Sequence, residues 1–157
     1  YEDIPASLHK LVDNGVQIVK LQEAASMHIP DVTQKTVDAL QTFAKTIYLS
    51  QTCQKKDGKT TWFLNLEDAF DAFQKDPGPR EWRTHFHVPV FLEDLGGAFG
   101  TTRFALEQAL AVHKQTPLST HLEIETYTWD VLPDHLKTGD IVEYVTRELD
   151  WVKGQLT

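Results

Sequence analysis

Cysteine is nearly absent: Cys53 is the single one in 157 residues, which excludes an internal disulfide and any cysteine-based zinc cluster. That usage fits a reducing compartment, and a cytoplasmic location is expected. No apolar run approaches the roughly 20 residues of a spanning helix, and no secretory hydrophobic segment is present, so neither a membrane span nor export is expected. Positive charge is also short, because 15 Lys and Arg against 23 Asp and Glu leave a formal net charge of -8. That balance argues against nonspecific nucleic-acid binding and against an anionic membrane surface. Gly96-Gly97-Ala98-Phe99-Gly100 lacks the lysine of a phosphate-binding loop. The chain opens on Tyr1 without an initiator methionine, and Glu2-Asp3-Ile4-Pro5 already reads as the start of a helix. A piece of a longer protein is therefore expected.

What is present suits one soluble domain with a real core: 41% hydrophobic and 24% charged residues. Two stretches stand out. Along Arg83-Thr84-His85-Phe86-His87-Val88-Pro89-Val90-Phe91, the residues Arg83, His85 and His87 share one face and Phe86 and Val88 the other. Along His121-Leu122-Glu123-Ile124-Glu125-Thr126-Tyr127, polar His121, Glu123, Glu125 and Tyr127 oppose Leu122 and Ile124. Strict alternation predicts strands. Imidazoles and carboxylates gathered on polar faces are the groups that bind metals and move protons.

Earlier in the chain, Val16–Ala24 and Thr46–Thr52 also read as strands, the first with Val19 and Leu21 on one face and Ile18, Lys20 and Gln22 on the other. Helical spacing predicts helices over Ala6–Asn14, Thr33–Ala44, Leu66–Lys75, Thr101 or Thr102 to Lys114, and Thr138–Val152. The last is expected to bury Ile141, Val142, Val145, Leu149 and Val152. Lys55 to Lys59 reads as a plain turn and Glu93 to Gly100 as a glycine-bearing loop. The order is a helix followed by four strand–helix units, which implies right-handed crossovers and a parallel sheet. Each strand has an apolar and a polar face, as in a barrel covered outside by helices. A full (β/α)8 barrel takes about 250 residues. The fold expected is therefore α/β: the last four units of a TIM barrel, residues 1–157 forming its C-terminal half with no separate domains.

In such a barrel the site lies at the C-terminal strand ends, where Lys20 and Gln22, Tyr48 and Ser50, His85 and His87, and Glu123 and Glu125 would converge. His87 and Glu125 are the candidate metal ligands or acid–base pair, with His85 and Glu123 orienting them. Lys20 is either an oxyanion-stabilising catalytic group or the ion-pair partner of Glu123 or Glu125. Gln22, Ser50 and His85 can hold a substrate hydroxyl, and Trp129 can wall a small molecule or pack on a helix. Cys53 has no evident base partner for a nucleophilic role.

The run Arg83–Val90, and then His121-Leu122-Glu123-Ile124-Glu125-Thr126-Tyr127-Thr128-Trp129-Asp130-Val131-Leu132-Pro133, resembles the C-terminal half of the metabolite traffic protein EboE family. Gly15-Val16-Gln17-Ile18-Val19-Lys20-Leu21-Gln22 and Tyr48-Leu49-Ser50-Gln51-Thr52 are similar to its preceding strands. The resemblance implies a xylose-isomerase-like TIM barrel, related to sugar phosphate isomerases and epimerases and linked in bacteria to secondary-metabolite processing or traffic. It also implies a divalent metal (Mn, Mg, Zn or Fe) at the barrel mouth, with His87 and Glu125 as ligands and Glu125 as proton carrier. Lys20, Gln22 and Glu23 stand where the family's isomerase relatives carry a further carboxylate ligand.

Two functions follow as expectations. One is a metal-dependent isomerase or epimerase acting on a sugar-like or polyol metabolite, catalytic through Glu125 and Lys20. The other is a non-catalytic protein that binds the metabolite and hands it on, which the loss of a ligand at Lys20 and Gln22 would favour. The partners expected are that small molecule and either the missing N-terminal half of the barrel or a second copy of the chain.

Overall fold

Asp57 and Gly58 set the direction of the strands around them. In a computed structural model of the protein both take positive φ, 49° and 73°, the geometry of a two-residue hairpin turn that Asp-Gly favours. The turn joins β3 (Thr52–Lys56) to β4 (Lys59–Phe63), paired antiparallel from Lys56↔Lys59 to Thr52↔Phe63. The structure describes all residues except 45–49, 126–128, 133–135 and 138, and the backbone alone of Val131. They form two compact units: unit 1 is Tyr1–Ala25, His87–Leu92 and Arg103–Thr157, and unit 2 is Ser26–Phe86 and Glu93–Thr102.

Unit 2 is built on a sheet. Among the described residues its strand order is β4-β3-β5-β2-β7-β6, with β2 at Ala25–Ile29, β5 at Glu81–Val88, β6 at Asp94–Gly96 and β7 at Phe99–Thr101. The pairs β3–β5, β2–β7 and β6–β7 are antiparallel. Helices α2 (Gln34–Ala44) and α3 (Leu66–Lys75) meet the face that carries Trp82, Thr84 and Phe86. Phe43 of α2 packs edge-on against Phe86, with centroids 5.1 Å apart, and Phe73 of α3 against Trp82 at 6.3 Å. The polar atoms of this core are paired, as burial demands. Gln54 Oε1 accepts from Trp82 Nε1 at 3.0 Å and Arg80 Nη1 at 2.9 Å, and the Thr52 and Thr84 hydroxyls bond at 3.0 Å.

Unit 1 holds α1 (Ile4–Asp13), α4 (Arg103–Gln115), α5 (Ile141–Leu156) and a parallel strand pair. The pair is β1 (Leu21–Glu23) with β8 (Leu122–Ile124), in register Leu21↔Leu122 to Glu23↔Ile124. Asp3 caps α1 by accepting the Ala6 N–H at 2.9 Å, and Asp140 caps α5 by accepting the Glu143 N–H at 2.9 Å. Helix α4 packs against both α1 and α5. Tyr144, Glu148 and Val152, spaced four apart, form the buried stripe of α5.

The half barrel is overturned. A (β/α)8 barrel needs consecutive parallel strands in one sheet, whereas β3 runs antiparallel to both β4 and β5. The lone parallel pair with a described register, β1–β8, stands in a separate two-stranded sheet. Strand–helix alternation misled because two hairpins hide inside it. Lys55–Lys59, read as a plain turn, joins β3 to β4, and Glu93–Gly100, read as a loop, contains β6 and β7. The expected strand Val16–Ala24 is extended only from Leu21, breaks at Ala24 and continues as β2 into the other sheet. Most of the expected strand Thr46–Thr52 lies outside the described residues; Thr52 opens β3.

Candidate functional site

Glu23 is the chemically exceptional residue of unit 1. It ends β1 on the same face as Leu21, while Gln22 points the opposite way and is exposed. Only 2% of Glu23 is exposed, and its Oε1 has no hydrogen-bond partner among the described residues. A carboxylate stripped of water and left unpaired favours its neutral form. Burial accordingly pushes its pKa from 4.5 to about 7.

The backbone of Glu125 connects this acid to His87. The Glu125 N–H donates to the Glu23 carbonyl at 3.3 Å, and the Glu125 carbonyl lies 3.3 Å from His87 Nδ1. A carbonyl can only accept, so Nδ1 carries the hydrogen and a neutral His87 ring has its lone pair on Nε2. His87 is itself buried at the end of β5. Beyond it Pro89 interrupts the strand, and the Val90 N–H donates to Glu148 Oε1 of α5 at 3.2 Å. Tyr144 lies one turn before Glu148, buried, its phenol held well above the ordinary range by burial and by the Glu148 charge. Its ring meets Trp129 edge-on at 4.6 Å and Phe91 at 5.7 Å. Arg147 lies 4.0 Å over the Phe91 ring. Unit 1 thus holds two buried carboxyls, Glu23 and Glu148, the buried imidazoles of His87 and His113, and the buried phenol of Tyr144 with aromatic rings around it.

The residues expected at a barrel mouth are distributed otherwise. Lys20, its side chain 44% exposed, pairs with Glu123 at 2.7 Å. Gln22 faces Glu123 across the register, so these three form an exposed polar rim. His87 reaches the backbone of Glu125, whose side chain is half-buried. Trp129 packs on Tyr144 in unit 1. Ser50 and His85 belong to unit 2. The Ser50 hydroxyl accepts the Leu66 N–H at 3.1 Å and so caps α3, while His85, exposed, donates its backbone N–H to the Gln51 carbonyl at 2.7 Å. Tyr48 and Tyr127 lie outside the described residues.

Among the described residues no three His, Cys, Asp or Glu side chains stand together as metal donors. A divalent ion ordinarily takes three or more protein ligands or a shared substrate. His87 and Glu125 alone supply fewer donors than that, so they do not by themselves fit the expected ion. Glu23 was legible only as a third residue at the position of Lys20 and Gln22. Phase alone does not mark it: Glu23 is in step with Val19 and Leu21, yet Val19 is exposed and Leu21 half-buried.

Compared with protein-family models, with curated proteins and with solved structures, the chain matches none.

Proposed function

We propose that unit 1 performs proton transfer of the isomerase or epimerase type on a sugar-like or polyol metabolite, with Glu23 as the proton carrier. The observation that supports this is the buried Glu23 carboxyl with an unpartnered oxygen and a pKa of about 7. Enediolate chemistry removes a proton from carbon beside a carbonyl and returns it to a neighbouring position. A carboxyl that titrates near neutrality is suited to both halves, since it is present as base and as acid. His87, joined to Glu23 through the Glu125 peptide, is the second proton-active group of the reading. A metabolite-binding protein that performs no chemistry remains the second reading, because the Lys20–Glu123 pair is occupied with itself. A cytoplasmic setting belongs to the proposal, in keeping with a chain that holds a single, buried cysteine.

The test is deuterium incorporation from D2O into a panel of aldoses, ketoses and keto-inositols, read by mass spectrometry. Transfer predicts deuterium at carbon next to the carbonyl, reduced about 100-fold or more in Glu23→Gln. Saturable binding without deuterium would favour the carrier reading, and neither result would sink both.

A further inference from the structure

Unit 2 contains a cleft of about 850 Å3 between the first half of α2 and the β6–β7 hairpin. That volume suits one small organic molecule. Its walls are apolar, from Pro30 after β2, Ala39 on α2, and Ala98 and Phe99 on the hairpin. Phe99 packs edge-on against Phe43 at 6.4 Å, so this wall is continuous with the unit's own core. Charge is confined to the rim and is unequal: Asp31, Glu93 and Asp94 stand against Lys35. The Asp94 carboxylate accepts the Gly96 N–H at 2.6 Å, where Gly96 and Gly97 turn the hairpin with φ of 90° and 69°. A β-bulge between Asp94 and Gly96 turns Leu95 into the core and leaves Asp94 exposed.

The start of α2 also lines the cleft, and a helix N-terminus ordinarily draws an anion. Here two of the backbone donors at that end are already engaged. The Thr33 hydroxyl accepts the Thr36 N–H at 3.3 Å, and the Thr36 hydroxyl accepts the Thr33 N–H at 2.8 Å. The reciprocal cap takes up two of the donors at that end, and the three rim carboxylates outnumber the one rim lysine.

We infer that this cleft binds an organic cation with an apolar body, an alkyl- or arylammonium. Its hydrocarbon part lies on Phe99 and Ala39 and its ammonium at the Asp31 and Asp94 rim. The inference stands on unit 2 alone and is independent of Glu23.

Titration with 2-phenylethylamine, and with 2-phenylethanol as its neutral counterpart, tests it by NMR shifts at neutral pH. The amine is expected to bind saturably, with shifts centred on Phe99 and α2, and about two- to fivefold more tightly than the alcohol, the scale of solvent-exposed ion pairs. Asp31→Asn with Asp94→Asn removes that preference, and Ala39→Trp fills the cleft and abolishes binding of both. Should Ala39→Trp fail to fold in a thermal melt, the surface pair Asp31→Asn/Asp94→Asn decides. Equal binding of amine and alcohol, no saturation by either, or shifts outside the cleft would each overturn the inference.

Discussion

Glu23→Gln should stabilise the protein at alkaline pH and leave it almost unchanged in acid. Below pH 4.5 the folded and unfolded chains both hold the Glu23 proton, and the site carries no ionisation penalty. Between 4.5 and about 7 the unfolded chain releases the proton while the folded chain keeps it. Stability therefore falls as pH rises through that window, by linkage. Above about pH 7 both states are ionised and the whole penalty applies. A rise from 4.5 to about 7 corresponds to roughly 3 kcal/mol. Partial solvent screening of the group makes that figure an upper bound. Glutamine keeps the shape and cannot ionise, so at pH 8 the variant should gain up to about 3 kcal/mol over wild type. For a chain of this size that is about 5–10 °C in melting temperature. Urea unfolding of both proteins at pH 4.5, 6, 7 and 8 measures the difference, and the many other titrating groups cancel between them. A difference that stays constant with pH would refute the reasoning, because it would mean Glu23 ionises alike in both states.

Three further perturbations follow from the same geometry. Trp82→Ala removes a fully buried ring packed by Phe70 and Phe73, and should cost about 3–5 kcal/mol in urea unfolding; a loss below about 1 kcal/mol would contradict the unit 2 core. Glu148→Ala deprives the Val90 N–H of its acceptor and should cost about 1–3 kcal/mol, with Glu148→Gln losing less because an acceptor oxygen remains. Burial holds the His28 pKa below its ordinary 6.5 while Glu81, 2.9 Å away, pulls it up. An NMR titration of Glu81→Gln should therefore show the His28 midpoint lower than in wild type, and an upward move would contradict the pairing.

The helices were readable because their signals are local. Leu66–Lys75 is helical over the residues expected, and α2 and α4 begin and end within a residue or two of the positions expected from spacing. The histidine strand was readable from alternation alone. Strand direction was not, because direction depends on which strands meet, and alternation along one strand carries no record of its neighbour. Asp57-Gly58 did carry a direction signal, a hairpin dipeptide, but it was read as a plain turn within the alternation of strands and helices. In α5 the expected stripe was rotated: Val142 is 70% exposed while Tyr144 and Glu148 are buried. Hydrophobicity favoured Ile141 and Val142, but a tyrosine and a glutamate with a backbone partner can be buried more completely. The same bias hid Glu23. A search for polar faces finds Lys20, Gln22 and Glu123, which lie on an exposed rim, and passes over buried Glu23.

The most direct test of the central claim is the titration of the Glu23 carboxyl itself, followed by carbon-13 NMR in selectively labelled protein and assigned with Glu23→Gln. The account predicts a midpoint of about 7. A midpoint near 4.5 would place the side chain in water and leave the proposed proton carrier without its chemistry.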